Sequence, residues 1–139
     1  MEFSEFIANN PILSGLFAAL IIMLIISEYQ RYTRRFNEVS PLEAVNLINN
    51  QKAIVVDVRS EKDYQSGHLT NAINIPFQSI ASQKKKLEKY KKKPVIIYCR
   101  SGNFSTQACK TLEKNGFETV HNLRGGVMAW ERDNLFLVK

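Results

Sequence analysis

The chain has 139 residues and a formal net charge of +6 at pH 7, and 45% of its residues are hydrophobic. A chain of this length holds one ordinary domain and can bury a core without help from disulfides or a structural metal. Its two cysteines have neither CxxC spacing nor histidines at ligand spacing, which argues against a zinc site and a disulfide-rich secreted scaffold. We therefore expect no metal, no cofactor and a reducing compartment.

The first long apolar run covers residues 12–26, in which Ser14 is the only polar residue. Extended to residues 11–29, a helix would be roughly 28 Å long at 1.5 Å per residue, close to the hydrocarbon thickness of a bilayer. Tyr29 and Tyr32 suit the membrane interface. A soluble core helix would show a polar face and a signal peptide would begin with basic residues, and neither is present. We predict a single-pass transmembrane helix over residues 11–29.

Basic residues flank this predicted helix on one side. Residues 1–10 contain no lysine or arginine, whereas Arg31, Arg34 and Arg35 follow the helix closely. The positive-inside rule then makes residues 1–10 a short extracytoplasmic tail and places the rest of the chain in the cytoplasm. The expected location is the inner (plasma) membrane, with membrane lipid as a partner. Residues 30–39 are expected to form a basic linker.

Residues 40–139 carry the pattern of an alternating α/β domain. Ser40, Pro41 and Glu43 form a capping box with proline at the first helical position, which predicts a helix that ends near residues 49–50. Short apolar runs alternating with helical segments predict a mostly parallel sheet covered by helices. The remaining predicted segments are strands over residues 53–58, 72–75, 95–98 and 118–121, and helices over residues 82–92, 106–114 and 127–132.

Two of these helices are expected to meet the core differently. The first presents an apolar face made of Leu42, Val45, Leu47 and Ile48. The helix over residues 82–92 is rich in lysine, and only Leu87 and Tyr90 are expected to touch the core. Its lysines are interpreted as a solvated face, with attraction to anionic lipid as the alternative. No nucleic-acid partner is expected, because Tyr90 is the only aromatic residue among the lysines.

A cysteine stands at the exit of the third predicted strand. Cys99 is followed by a short polar loop and then by a predicted helix. In parallel sheets, sites form at the carboxyl ends of the strands. Backbone N–H groups of the loop and of the first helical turn can converge on the sulfur, Gly102 permits a tight turn, and Arg100 adds a positive charge. Such surroundings lower the pKa of a thiol and hold an anion on its sulfur.

Five segments follow one another along the chain: residues 57–59 (DVR), 63–69 (DYQSGHL), 72–76 (AINIP), 98–103 (YCRSGN) and 122–130 (NLRGGVMAW). Together they resemble the rhodanese family. The resemblance covers residues 40–138 and implies a rhodanese-like three-layer α/β/α domain. It implies that Cys99 is catalytic, taking a sulfane sulfur from a donor such as thiosulfate as a persulfide and passing it to a thiol or cyanide-like acceptor.

The resemblance also assigns roles to other residues. Asp57 is expected to support the site through an ion pair with Arg59, and Arg59 could also reach substrate. His68 is expected to orient backbone and not to act as a base. Core positions are expected for Cys109, His121 and Trp130, with a resolving thiol as the alternative for Cys109. The residues expected to bind substrate are Arg100, Ser101, Gly102, Asn103, Phe104, Ser105 and Arg59.

The chain departs from the family pattern at two positions. Phe104 stands five residues after the cysteine, where many members have arginine, so the expected anion site has one positive charge fewer and thiosulfate should bind less well. Phe104 could form a lid or recognition surface beside Cys99, or simply be packed. Asn71 stands where the family commonly has glycine, in a turn.

Two other functions compete with a membrane-anchored sulfurtransferase. The first is a phosphatase or arsenate reductase, since similar folds carry those activities. Cysteine phosphatases need an arginine six residues after the cysteine to bind a phosphate dianion, and this chain has Ser105 there. A weakly catalytic or non-catalytic module that binds membrane protein partners is the second alternative, since fold alone does not establish catalysis.

Overall fold

The computed structural model describes residues 2–32 and 36–139, apart from the side chain of Arg31. The chain divides into two compact units, Met1–Arg34 and Arg35–Lys139. The predicted orientation in the membrane relies on Arg31, Arg34 and Arg35. Arg34 and Arg35 lie outside the described residues, as does the side chain of Arg31.

The first unit contains helices α1 (Phe3–Asn9) and α2 (Pro11–Tyr32). Proline opens α2, at a position where its missing N–H leaves no hydrogen bond unmade. The stretch Pro11–Gln30 has a mean hydropathy of 2.2, and none of its residues is buried. The helix predicted over residues 11–29 is therefore present, and it is long and apolar enough to cross a membrane.

The second unit is built on a parallel sheet. In the described part of the chain the sheet has five strands in the order β1-β5-β4-β2-β3, and every neighbouring pair is parallel. The inner strands β2 and β4 are rich in valine and isoleucine, as expected for strands covered on both faces. The strands are β1 (Asn37–Val39), β2 (Ile54–Asp57), β3 (Ile73–Asn74), β4 (Pro94–Tyr98) and β5 (Thr119–Leu123).

Helices cover both faces of this sheet. One core includes Leu87, Cys109 and Leu112, and the other includes Ala44 and Trp130. The three-layer α/β/α architecture is confirmed, and so are the core positions expected for Cys109, His121 and Trp130. The helices are α3 (Pro41–Gln51), α4 (Glu61–Ser66), α5 (Ile80–Gln83), α6 (Asn103–Lys114) and α7 (Gly126–Arg132), with 3-10 helices over Phe77–Ser79 and Lys84–Tyr90.

The prediction of a linker up to residue 39 was wrong at its end. Asn37–Val39 forms the edge strand β1, which pairs with β5 in the register Asn37 to His121 and Val39 to Leu123. The strand has only three residues, two of them polar, so it shows neither an apolar run nor a clear alternation. Its side chains suit the edge position, because Val39 is buried while Asn37 is exposed.

Two helical predictions also need correction. The segment predicted as one helix over residues 82–92 is the short α5 followed by a 3-10 helix, whose side chains align at a spacing of three. That spacing lets both Leu87 and Tyr90 reach the core, as expected. Leu42 is 72% exposed, because α3 turns Pro41 and Ala44 toward the core instead. Helix α4 was not predicted.

Candidate active site

Cys99 lies directly after β4, at the carboxyl ends of the parallel strands. The residue is buried, with 3% of its surface exposed. Its sulfur accepts the Gly102 N–H at 3.0 Å, and its thiol donates to Ser105 Oγ at 3.4 Å. Gly102 has a φ of 108°, which only glycine adopts readily, and this turn brings its N–H back to the sulfur. The expected convergence of backbone donors on Cys99 is thus present at Gly102.

The helix after the loop begins earlier than predicted. Helix α6 starts at Asn103, with Gly102 as its N-cap, so Phe104 and Ser105 belong to its first turn and not to the loop. No side chain caps this helix, so the sequence lacked the usual signal for its start. The first N–H groups of a helix have no partner within the helix and carry partial positive charge. That positive end lies beside Cys99.

Opposing effects set the charge state of Cys99. Burial acts to raise the pKa of its thiol. Hydrogen bonds from the Ser105 side chain, and from the N–H groups of Ser105, Gly102 and Ser101, act to lower it. The hydrogen bonds prevail, and the pKa of Cys99 lies below its ordinary value. In contrast, burial raises the pKa of Cys109, so Cys99 is the better thiolate.

The backbone of the Cys99 loop is held by the start of α7. The N–H groups of Val127 and Met128 donate to the carbonyl oxygens of Cys99 and Arg100 at 3.0 and 3.1 Å. Gly126 lies so close that an added Cβ would stand 2.3 Å from the Cys99 oxygen. The Gly-Gly pair in the segment of residues 122–130 therefore lets one helix dock onto the loop that carries the thiol.

Asp57 and Arg59 form the expected ion pair behind the site. Arg59 Nη2 donates to Asp57 Oδ2 at 2.8 Å and to the Gly67 carbonyl at 2.6 Å. The Tyr98 hydroxyl donates to the same carboxylate at 2.7 Å and accepts the Leu69 N–H. Because the Arg59 guanidinium is engaged in this way and its side chain is only 10% exposed, its contacts fit the structural role and not substrate binding.

The exposed residues around Cys99 form the mouth of the site, which combines one cationic side chain with apolar ones. Arg100 is exposed in the loop. Phe104 is 57% exposed and its ring lies 5.3 Å from that of Phe77. Met128, whose N–H binds the Arg100 carbonyl, is 56% exposed. The remaining residues expected to bind substrate, Ser101 and Asn103, are exposed as well.

Sequence reasoning assigned no role to two residues that the fold brings toward Cys99. Asn122 accepts the Ser105 hydroxyl through Oδ1 at 2.5 Å, and its amide donates to Glu38. Asn122 lies within a segment that pointed to the family, which was the only available signal. Glu38 lay in the expected linker, and no feature of the sequence indicated a role for it.

Comparison with known proteins identifies the family of the second unit. The sequence model of the Rhodanese-like domain matches residues 40–133. The chain belongs to the rhodanese-like domain family. This confirms the resemblance read from the five segments at the level of the family.

Individual rhodanese relatives differ in how much of the chain they match. The uncharacterized protein YibN of Escherichia coli K12 is 35% identical over 139 residues, covering 99% of this chain and 97% of that protein. The thiosulfate sulfurtransferase GlpE of Coxiella burnetii RSA 331 is 30% identical over 96 residues, covering 69% and 88%. The crystal structure of a rhodanese-related protein from Thermoplasma volcanium superposes with a TM-score of 0.66 at 26% identity, covering 74% of this chain and 98% of that one.

Proposed function

We propose that this rhodanese-like protein is a membrane-anchored sulfurtransferase that carries a sulfane sulfur on Cys99. The observation that carries the proposal is the Cys99 sulfur, which accepts the Gly102 N–H at 3.0 Å beside the start of α6. A thiol whose pKa lies below its ordinary value is the nucleophile that this chemistry needs. The name of the related thiosulfate sulfurtransferase GlpE points to the same reaction class.

The reaction has two half-steps that balance in atoms and charge. The Cys99 thiolate attacks the sulfane sulfur of the donor, the donor's S–S bond breaks, and, with thiosulfate, sulfite leaves with the bonding electron pair. The product is a persulfide whose terminal sulfur carries the negative charge. A thiolate or cyanide-like acceptor then attacks that terminal sulfur and releases the Cys99 thiolate. In both steps, donors such as the Gly102 N–H stabilise sulfur-centred charge, as backbone donors do in an oxyanion hole.

The roles proposed for the other predicted residues follow from their places. Arg100, Ser101, Asn103 and Phe104 line the mouth, where donor and acceptor would enter. Gly102 and Ser105 contact the Cys99 sulfur itself. A phosphatase mechanism has less support, because the position six residues after the cysteine holds the buried Ser105 and not an arginine.

The membrane anchor is the second part of the proposal. It is supported by α2, whose stretch Pro11–Gln30 is long enough and apolar enough to span a bilayer. We propose that α2 crosses the inner (plasma) membrane once, with residues 1–10 outside and the rhodanese-like unit in the cytoplasm. The partners would be membrane lipid, a small sulfur donor and a thiol or cyanide-like acceptor.

The transfer function is tested by mass. We expect the full chain in detergent to gain one sulfur atom after incubation with thiosulfate or another sulfane donor, and Cys99→Ser to gain none. Cys109→Ala, the matched control at the second cysteine, should gain sulfur as the unmodified chain does. Sulfur uptake by Cys99→Ser, or no uptake from any sulfane donor, would contradict the proposal.

The exposed side chains of Phe104 and Met128 favour a second candidate, a weakly catalytic module that binds membrane protein partners. That candidate predicts that Cys99→Ser still co-purifies with the same membrane proteins, while Phe104→Ser with Met128→Ser does not. The sulfurtransferase proposal predicts sulfur uptake at Cys99 and does not require co-purification with membrane proteins. The two measurements therefore distinguish the candidates.

A further inference from the structure

Cys99 is the first member of a line of four side chains, which come from the loop after β4 and from α6, β5 and β1. Its thiol contacts Ser105 Oγ of α6 at 3.4 Å, and Ser105 Oγ lies 2.5 Å from Asn122 Oδ1 of β5. Asn122 Nδ2 then lies 3.1 Å from both carboxylate oxygens of Glu38 on β1. Ser105 and Asn122 are buried, so bulk water does not compete for these contacts.

The orientation of the Asn122 amide is determined by its neighbours. Around Nδ2 lie the Glu38 carboxylate, Thr106 Oγ1 at 3.2 Å and the Gly102 carbonyl at 3.5 Å. Each of these accepts a hydrogen bond, because the Thr106 hydroxyl donates its own proton to the Gly102 carbonyl. The –NH₂ group must therefore face them, and Oδ1 must face Ser105.

Ser105 has one hydroxyl proton and two acceptors that compete for it. With Cys99 as a thiol, Cys99 donates to Ser105 and Ser105 donates to Asn122, so each group has a partner. With Cys99 as a thiolate, the hydroxyl stabilises the sulfur only by turning away from Asn122. Oδ1 of a buried amide then loses its donor, which is unfavourable.

We propose that Glu38 and Asn122 are positioning residues that aim the Ser105 hydroxyl and so determine how readily Cys99 loses its proton. The inference rests on the proposed function only in taking Cys99 as the nucleophile. Glu38 lies on the edge strand β1, outside the residues 40–133 that match the family model.

The proposal predicts a direction of change. Removing the Glu38 carboxylate frees one side of the Asn122 amide, so the amide can turn and the Ser105 hydroxyl can stay on the sulfur. Thr106 and the Gly102 carbonyl still hold the other side, so the effect should be moderate. We expect Glu38→Ala to lower the pKa of Cys99 and to raise the thiolate fraction below that pKa about threefold, where tenfold corresponds to one pKa unit.

A negative charge also acts through space, so the test must separate the two routes. Other ionisable groups on surrounding elements are Arg100 in the loop, Cys109 in α6, Asp57 at the end of β2 and Arg59 just after it. All of them stay unchanged in the test. Glu38→Gln removes the charge but keeps an oxygen that can accept from Asn122. Ser105→Ala removes the hydroxyl through which the proposal acts and leaves Glu38 in place.

The experiment is the pH profile of iodoacetamide alkylation at Cys99, read on its peptide by mass spectrometry, with the full chain in detergent. We expect Glu38→Ala to shift the profile to lower pH, Glu38→Gln to stay near the unmodified chain, and Ser105→Ala to shift it to higher pH. When Ser105→Ala is already present, Glu38→Ala should shift the alkylation profile by less than half as much as it does in the otherwise unmodified chain. Thermal unfolding checks that each variant is folded. Asn122→Ala removes the amide between Glu38 and Ser105, so it provides a second background for the same comparison.

The proposal is overturned if Glu38→Ala leaves the profile unchanged, if Glu38→Gln shifts it equally, or if half or more of the shift persists without the Ser105 hydroxyl. An unchanged profile would mean that Glu38 does not influence Cys99. Either of the other two results would mean that the charge of Glu38 acts through space and not through Ser105. The measurement uses no sulfur donor, so a failure of sulfur transfer leaves its outcome readable.

Discussion

At the scale of single residues, the balance at Cys99 is between losing water and gaining hydrogen bonds. Burial alone disfavours a thiolate, and it raises the pKa of Cys109, which lies in the core. Cys99 is buried as well, but the donors around its sulfur reverse the direction of the shift. The direction of the pKa shift at Cys99 therefore follows from the local N–H and hydroxyl groups and not from exposure.

Phe104 is the residue at which the proposed choice of sulfur donor can be tested. We expect Phe104→Arg to increase kcat/KM with thiosulfate about ten- to a hundredfold, since a charge-assisted hydrogen bond contributes roughly 1.5–3 kcal/mol and each 1.4 kcal/mol is a factor of ten. The new guanidinium would lie on the first turn of α6, beside the anion that we propose forms on Cys99. Steady-state kinetics with thiosulfate and cyanide measure the effect.

The matched control is Phe104→Leu, which removes the contact with the Phe77 ring but adds no charge. Its activity with thiosulfate should stay within about twofold of the unmodified chain, because exposed substitutions have small effects. An equal gain in both variants would mean that steric access limits the reaction, not charge.

At the scale of elements, the thiol loop is a joint between β4, α6 and α7. Strand β4 delivers Cys99 to the edge of the sheet, α6 turns its N-terminus toward the sulfur, and α7 binds the loop carbonyls. The close approach of α7 requires Gly126, whose φ is 56°. The conformation of the Cys99 loop therefore depends on how α6 and α7 dock against it.

We expect Gly126→Ala to destabilise the rhodanese-like unit and to slow alkylation of Cys99. Two costs add: about 1–2 kcal/mol for a left-handed backbone and about 1–3 kcal/mol for overpacking against the Cys99 and Arg100 carbonyls. Thermal unfolding and the alkylation rate at pH 7 measure the two effects.

Gly116→Ala is the matched control, because Gly116 also has a positive φ but its added Cβ would meet only the end of a lysine side chain, at 3.9 Å. The free energy of unfolding of Gly116→Ala should fall by about 1–2 kcal/mol, the cost of the left-handed backbone alone. The alkylation rate of Cys99 should not change. Equal losses of stability in the two variants would show that docking of α7 against the loop adds nothing.

At the scale of the whole molecule, the chain joins an apolar helical unit to a basic α/β unit. The lysines around the 3-10 helix Lys84–Tyr90 offer a second way to attach to membranes, through anionic headgroups. Attachment by lysines alone would weaken at high salt, because screening shortens the range of exposed charges. Attachment by α2 would not.

We expect the full chain to pellet with membranes, to remain there in 1 M salt (Debye length about 3 Å) and to be released by detergent. Deletion of residues 1–29 should release it into the soluble fraction. Replacement of Lys84, Lys85 and Lys86 by glutamine is the matched control and should leave it in the membrane pellet. Release by salt, or by the lysine replacements alone, would contradict anchoring by α2.

Most local features were predictable from the sequence because their causes are local. The capping box forms as expected, with Ser40 N–H donating to Glu43 at 2.7 Å, since its members lie three residues apart. The parallel sheet was predictable from its β-branched runs, and α2 from its length and apolarity. The loop after Cys99 was predictable in kind, although α6 begins at Asn103 and not at residue 106.

Features that join distant parts of the chain were not predictable in the same way. Glu38 and Asn122 are 84 residues apart, and they meet only because β1 pairs with β5 next to β4. A three-residue edge strand has too few positions to show a period, so nothing in its composition announces the pairing. The Asp57–Arg59 ion pair was expected, but Arg59 could still have faced substrate until the fold placed the Gly67 carbonyl against its guanidinium.

The sequence by itself determined the apolar N-terminal helix, the α/β class and the position of the candidate nucleophile, because each depends on a pattern along a short stretch. The family followed from the resemblance of five segments. Only the tertiary structure decided which polar groups surround the Cys99 sulfur and which face inward at the edge strand. Strand order and helix docking select those neighbours, and they follow from how the whole core packs.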